Sequence, residues 1–375
     1  MRNDVVIVGG GITSLMTAYH LLNRGITPVI VEKNYLGSGA TGRCGGGIRQ
    51  QWSTAENIIL ARESVKFWER FEEEIGGNAH FRQGGYLVLV YSDEKRYIEN
   101  VKLQNSLGVP SQWLSPEEAK EIVPYLNTEN LIGATYCPTD GVAYPFSVVF
   151  SLEKYLTKRG VKILKKTEVL DFKHSDGIVD EVVTNRDKLK AENVLIAAGA
   201  WSRLLVEKLG KRIPNEPYRH EILATEVMKP WLKPMVISFD TGIYFSQTYR
   251  GEVVGGIGMP EQPGYKLNST LDFIKKFASV ATKIIPAMKY LRVVRQWAGF
   301  YDVTPDARPI LDRVEGFENV YIACGYSGHG FMISPEVGKI MAQMITGETI
   351  SHDISNLRMD RFKKGVVTRE ANVVG

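Results

Sequence analysis

The hydrophobic positions of the chain change period several times, and each change marks an element. Residues 5–8 form a short, β-branched apolar run of the kind a buried parallel strand needs. Leu15, Ala18, Tyr19 and Leu22 then recur at helical spacing, and Gly25 ends that helix. Residues 29–31 read as a second strand, so the sequence opens on a βαβ unit. Residues 37–47 are too glycine-rich for either period. A helix is predicted from Ser53 or Thr54 through Phe67, and a strand over 84–90. Another helix starts at Ser115, with serine as cap and Pro116 at the first helical position. Residues 147–159 give a further helix, and 161–164, 169–172 and 194–197 read as strands. From about 216 to 317 strands and aromatics dominate, as in 242–245 and 253–256, with one amphipathic helix over 270–285. Residues 320–323 read as a strand that runs into a second glycine cluster. A last helix is then predicted to begin with Ser334 as cap and Pro335 at its first position. Its apolar face is Val337, Ile340, Met341 and Met344, and Gly347 ends it.

The pattern predicts two units: an α/β unit from residues 1–80, 147–215 and 318–375, and an α+β unit with a mixed sheet from 81–146 and 216–317. A length of 375 residues agrees with about two domains. Hydrophobic residues at 44% and charged residues at 23% are the balance of a globular protein with a substantial core. The net charge of +4 comes from interleaved acids and bases, which argues against a nucleic-acid partner. Cys44, Cys137 and Cys324 are too few and scattered for a disulfide framework, and no cluster suggests a metal. They fit a cytoplasmic location. The opening apolar run is too short for a signal peptide, and no stretch of 18 apolar residues occurs. Peripheral attachment to the inner face of a membrane stays open.

Candidate chemistry starts at Gly9-Gly10-Gly11-Ile12-Thr13-Ser14, which follows a strand and opens a helix. That is the setting of a dinucleotide fingerprint. Gly9 permits the tight turn, and Gly11 lets a pyrophosphate approach the helix N-terminus. Ser14 replaces the third glycine and is still small. Glu32 ends the second strand, where an acid can bind ribose hydroxyls. The glycine-rich stretch that ends at Arg49 offers backbone N–H groups and two arginines beside the pyrophosphate. It can wrap a cofactor larger than NAD, and this points to FAD.

These blocks, with Val194-Leu-Ile-Ala-Ala-Gly-Ala-Trp and Gly325-Tyr-Ser-Gly-His-Gly-Phe-Met, resemble the D-amino-acid-oxidase-type FAD superfamily. Within it the chain is most similar to the sarcosine oxidase group and to the β subunits of archaeal dye-linked L-proline dehydrogenases. The resemblance implies an FAD-binding Rossmann-like domain of the glutathione-reductase type beside a mixed-sheet substrate domain. It implies FAD contacts at Gly9, Gly11, Ile12, Thr13, Ser14, Glu32 and Lys33, and along the loop at Ala40, Thr41, Arg43, Gly45, Gly46 and Ile48. Further contacts are implied at Val169, Gly199 and Trp201, and at Gly325, Gly328, His329, Gly330, Phe331 and Met332. The helix after this last block could aim its N-terminus at the flavin edge that gains charge on reduction.

Arg49 matches the arginine that binds the substrate carboxylate in sarcosine oxidases, and a guanidinium suits that task. Tyr244 and Tyr249 lie on the strand-rich segment that walls the substrate side in this family. Two departures matter. Gly299 stands where monomeric sarcosine oxidases carry a flavin-linking cysteine, so FAD is expected to be non-covalent. Met332 stands where they carry a lysine that promotes oxygen reduction, which favours a dehydrogenase. The expected reaction is hydride transfer from the α-carbon of a small amino acid to flavin N5, giving an imine. L-Proline would give Δ1-pyrroline-5-carboxylate. Electrons would pass to a dye, a quinone or a partner subunit, with a larger α-type subunit or a homo-oligomer as the assembly. The alternatives are sarcosine, hydroxyproline, a D-amino acid or glycerol 3-phosphate as substrate, or a non-catalytic subunit that relays electrons.

Overall fold

Val5 and Ile7 point to one side of the first strand and Val6 and Val8 to the other, and all four are buried. A strand covered on both faces has no need of alternation, which is why its sequence reads as one apolar run. The computed structural model describes residues 3–365 and 368–373. The first strand, Asn3–Val8, lies centrally in a parallel sheet. The order across that sheet is Lys162–Leu164, Val29–Val31, Asn3–Val8, Lys188–Ile196 and Val320–Cys324. On one face the helices Ile12–Leu22 and Gly330–Thr346 cross closely. A Cβ on Gly338 would lie 2.6 Å from the Met16 backbone, so glycine there permits the approach. The other face is covered by a meander of Val169–Ser175, Ile178–Thr184 and the start of Lys188–Ile196, together with helix Ser202–Glu207. Each fully buried aliphatic side chain in these layers contributes roughly 1.5–3 kcal/mol.

The second sheet has eight strands, ordered Val293–Val303, Glu216–Val227, Glu252–Ile257, Ile243–Gln247, Met235–Ser238, Tyr86–Val90, Gly133–Cys137 and Gln112–Leu114. Every pair is antiparallel except Met235–Ser238 with Tyr86–Val90. Helix Leu271–Ile284 covers its outer face through Phe273, Phe277, Ala281 and Ile284. Thr270 caps that helix by accepting from the Phe273 N–H at 3.3 Å. Among the described residues, no helix is long and apolar enough to cross a membrane.

Two expectations are corrected. Strand Ile310–Arg313 lies inside the 216–317 segment assigned to the mixed sheet, yet it pairs antiparallel with Val320–Cys324. Ile310 and Leu311 are fully buried, and the strand closes the edge of the parallel sheet. The final helix starts at Gly330, ahead of Ser334, so Pro335 falls inside it. Proline has no N–H for the Phe331 carbonyl one turn earlier. The Ser334 hydroxyl donates to that carbonyl at 2.8 Å and replaces the missing bond. The Ser-Pro pair, read as a start signal, is an internal repair.

Candidate active site

The carboxyl ends of the parallel strands open into a cavity of about 590 Å³ that runs between the two sheets. This is where the parallel sheet of an α/β fold offers a ligand its crevice. Gly9 takes φ +112°, and a Cβ there would sit 2.5 Å from the Ala197 carbonyl oxygen. A Cβ on Gly11 would meet only Thr41 Oγ1, at 3.4 Å, so the fold itself leaves room there and the room faces the cavity. The Ile12 N–H donates to Thr41 Oγ1 at 3.1 Å and ties helix start to loop. Glu32 is buried. Its carboxylate accepts from the Gly10 N–H at 2.7 Å, the Asn34 N–H at 2.6 Å and Ser38 Oγ at 3.2 Å. The acid at the end of the second strand therefore shapes the cradle as well as facing it.

Most of the residues expected to touch FAD line this cavity: Gly9, Gly11, Ile12, Thr13, Glu32, Lys33, Ala40, Thr41, Arg43, Gly45 and Gly46 from the first part of the chain, and Val169, Gly199 and Trp201 from the middle. Gly328, His329, Gly330, Phe331 and Met332 line it from the start of the last helix. Arg43 is engaged by protein: it donates to the Ser38 and Ala298 carbonyls at 3.0 and 2.9 Å and staples the loop to the second sheet. Lys33 pairs with Glu168 at 2.7 Å. Three expected contacts fall outside the lining. Ser14 and Ile48 are core residues, and Gly325 makes a turn with its N–H donated to Asp302 Oδ2 at 2.6 Å.

The cavity fits FAD on its own geometry. Two helices end their N-termini at it, where the first N–H groups have no partners within the helix. His329 is buried against Trp52, ring centroids 4.6 Å apart, and neither ring nitrogen makes a well-formed hydrogen bond to protein; the Ser327 backbone offers only a weak polar contact. A buried imidazole in that condition calls for a ligand. Burial pushes its pKa down to about 3, so it faces the cavity uncharged.

Arg49, which also lines the cavity, is 4% exposed, with its guanidinium 3.7 Å over the Trp52 ring. Nη1 donates to the Gln51 carbonyl at 2.5 Å and Nη2 to the Asn372 carbonyl at 2.6 Å. Among the described residues no carboxylate lies within ion-pair distance of it. Burial pulls its pKa below the usual value, although the Tyr86, Glu370 and Asp140 side chains pull the other way. Tyr244 also lines the cavity, its hydroxyl 3.1 Å from His220 Nε2. His220 stacks on Tyr301 at 4.2 Å, and burial lowers its pKa to about 4. Tyr249 does not belong here. It is 47% exposed, lies past the end of strand Ile243–Gln247, and stacks on His80 beside a separate cavity of about 410 Å³. Tyr86, Trp52, His220 and Tyr301 line the site and were not anticipated. Tyr301 shares a strand face with Gly299, two residues away, and that alternation was the available signal.

The turn that carries Arg49 is clamped by Asp140, whose Oδ1 accepts from the Gln50 N–H at 2.9 Å and whose Oδ2 accepts from Gln51 Nε2 at 3.0 Å. Burial pushes this carboxyl up to about 6 against the pull of those bonds. The folded protein thus holds the proton more tightly than the unfolded chain, for which about 3.9 is usual. Stability is expected to fall as pH rises from about 4 to about 6 and then to level off. The difference in urea midpoint between the wild type and Asp140→Asn should change over that window and be flat above pH 7. A difference that is flat from pH 4 would contradict the shift.

A cofactor trench at the carboxyl edge of a parallel sheet, roofed by a mixed sheet, belongs to a known class. Residues 4–344 match the family model described as FAD dependent oxidoreductase, and the chain belongs to that family. Sarcosine oxidase subunit beta from Arthrobacter sp is 32% identical, over 96% of this chain and 91% of its own. The crystal structure of L-proline dehydrogenase from P. horikoshii matches with a TM-score of 0.94 at 40% identity, covering 98% of this chain and 99% of that one. Glycine oxidase from Geobacillus kaustophilus matches at 0.88 and 25% identity, covering 96% and 99%. FAD is the cofactor of this family, and the chain is an oxidoreductase.

Proposed function

We propose that the protein oxidises a small amino acid at its carbon–nitrogen bond, with L-proline as the foremost substrate. The observation that carries this reading is Arg49: a buried cation lining the cofactor cavity, held by two carbonyls and, among the described residues, by no carboxylate. A buried charge is stable only when paired, and an incoming carboxylate completes the pair. The similarity to L-proline dehydrogenase at 40% identity supports proline, and the similarities to sarcosine oxidase and glycine oxidase support the same class of small amino acids.

When bound, FAD would supply the acceptor for the hydride and the two electrons it carries, while the amino group gives up a proton. The chain supplies the rest. Arg49 fixes the carboxylate and so turns the substrate's α-carbon toward the cofactor side of the cavity. Trp52, Tyr86, Met235, Ile237 and Tyr301 wall the space and exclude water. Burial holds Tyr244 protonated and His220 neutral at physiological pH, so this wall orients and does not repel an amino group. Gly299 lines the cavity without a thiol, in keeping with non-covalent FAD. Met332 lines it without a cation, in keeping with an acceptor other than oxygen: a dye, a quinone or a partner subunit, in the cytoplasm.

The purified protein is expected to be yellow, and anaerobic L-proline is expected to bleach its band near roughly 450 nm while forming Δ1-pyrroline-5-carboxylate. In air, peroxide should form slowly. Parallel trials with sarcosine, glycine, hydroxyproline and D-proline rank the substrates. A yellow protein that none of them bleaches would support the electron-relay reading.

A further inference from the structure

The last described segment, residues 368–373, lies far from the cofactor fingerprint in sequence and yet reaches Arg49. Asn372 offers its carbonyl to Arg49 Nη2 at 2.6 Å, and its Nδ2 donates at 3.3 Å to the Gln51 carbonyl, which itself accepts from Arg49 Nη1. Both carbonyls that hold the guanidinium therefore meet at Asn372. Val373 lines the cavity beside them.

What fixes this tail is Glu370, which is fully buried. Its Oε1 accepts from the Ser53 N–H at 2.9 Å, from Ser53 Oγ at 2.5 Å and from the Asn372 N–H at 3.0 Å. Its Oε2 accepts from the Thr54 N–H at 3.0 Å, from Thr54 Oγ1 at 2.6 Å and from Asn57 Nδ2 at 3.2 Å. The Glu370 N–H donates to the Asp306 carbonyl at 2.9 Å. Helix Ala55–Glu69 begins here, and Thr54 makes no side-chain cap bond to it. A carboxylate from far along the chain sits just before this helix and accepts from the Ser53 and Thr54 N–H groups, where the helix end favours negative charge. Burial alone would raise the Glu370 carboxyl, but the bonds from Ser53, Thr54 and Asn372 outweigh it and hold it below the ordinary range. Six donors on one carboxylate are far more than are needed to moor an exposed tail.

We propose that residues 368–373 form a strap that aims Arg49, and that Glu370 is a positioning residue for carboxylate recognition. Glu370 pins the turn before helix Ala55–Glu69 from one side while presenting the Asn372 carbonyl to the guanidinium. Asp140 pins the same turn from the other side, through Gln50 and Gln51. Arg49 thus projects from a turn clamped by two carboxylates distant in sequence. The inference rests on the reading of Arg49 as the carboxylate ligand.

The test titrates the holoprotein with pyrrole-2-carboxylate, a planar ring acid that lacks the saturated α-carbon the reaction oxidises, and follows the shift in the flavin spectrum. Pyrrole-2-carboxamide is the uncharged control. Glu370→Ala is expected to raise the half-saturating carboxylate about tenfold, and Glu370→Gln, which keeps an accepting oxygen, about threefold. The carboxamide should shift by less than about twofold in either variant. Equal weakening of acid and amide would show a merely structural role and overturn the proposal. So would wild-type carboxylate binding in both variants, or loss of FAD from both. If only Glu370→Ala loses FAD, Glu370→Gln decides. Arg49→Lys, measured alongside, separates two failures. Unchanged carboxylate binding there overturns the substrate reading and the strap with it. Weakened binding there, with both Glu370 variants unchanged, overturns the strap alone.

Discussion

Arg49→Ala is expected to lower kcat/KM for the amino-acid substrate by about 100- to 1,000-fold while FAD stays bound. Truncating one partner of a buried, hydrogen-bonded charge pair costs about 2–5 kcal/mol, because the other charge is left desolvated and alone. Here the remaining charge is the carboxylate of the substrate. Arg49 lines the cavity and, among the described residues, donates to carbonyls of its own turn and of the tail and to no residue of the glycine cradle. Its loss should therefore act on substrate capture, not on the cofactor. Arg49→Lys keeps the charge but loses the fork, and a lysine cannot serve two carbonyls and a carboxylate in one plane. Its loss should fall between the wild type and Arg49→Ala. Rates of anaerobic flavin reduction across a range of substrate concentrations check both. Wild-type half-saturation in Arg49→Ala would sink the assignment.

The second large effect is expected at Gly11. Gly11→Asp should leave a folded protein with FAD affinity reduced by at least about 100-fold. The backbone at Gly11 is extended, at φ −82° and ψ 176°, and a Cβ there meets only Thr41 Oγ1 at 3.4 Å, so the fold tolerates the side chain. The demand for glycine comes from the ligand, whose pyrophosphate would meet a carboxylate at the helix end that should hold it. Gly9 differs. There φ is +112° and a Cβ would press on the Ala197 carbonyl, so Gly9→Ala is expected to destabilise the protein itself by about 1–3 kcal/mol. Flavin stoichiometry after purification and the unfolding midpoint of the apoprotein distinguish the two sites. A Gly11→Asp protein as yellow as the wild type would refute the placement.

The contrast between these sites tracks how much of the molecule could be read from residues alone. The opening βαβ unit was legible because its strands are buried on both faces and its glycines have local steric reasons. Arg49, singled out by its place at the end of the glycine-rich loop and by resemblance, lies in the cavity lining. Its surroundings were not legible, since Asp140 and Asn372 reach it from distant parts of the chain. Tyr249 was misplaced for a reason the sequence did contain. It lies five residues from Tyr244, and an odd separation cannot put two side chains on one face of a strand. His220 and Tyr301 come together through the pairing of Glu216–Val227 with Val293–Val303, and no local pattern states that register. The start of the last helix was missed because Ser334 and Pro335 carry a strong local cap signal, and only the Phe331 carbonyl shows what Ser334 does.

The pairing of the first sheet has a consequence for how the protein comes into being. Asn3–Val8 is translated before the other strands of this sheet. Its neighbour Lys188–Ile196 arrives after half the chain, and Val320–Cys324 with its covering partner Ile310–Arg313 comes near the end. The mixed sheet is synthesised almost whole in the interval. The pairings of Asn3–Val8 with Lys188–Ile196 and of Lys188–Ile196 with Val320–Cys324 each close a long loop, which slows folding and leaves apolar strand edges open meanwhile. The glycine cradle is translated before Lys188–Ile196 and Val320–Cys324. A ligand that binds only the folded state stabilises it, so flavin supply during expression is expected to set the yield of folded protein.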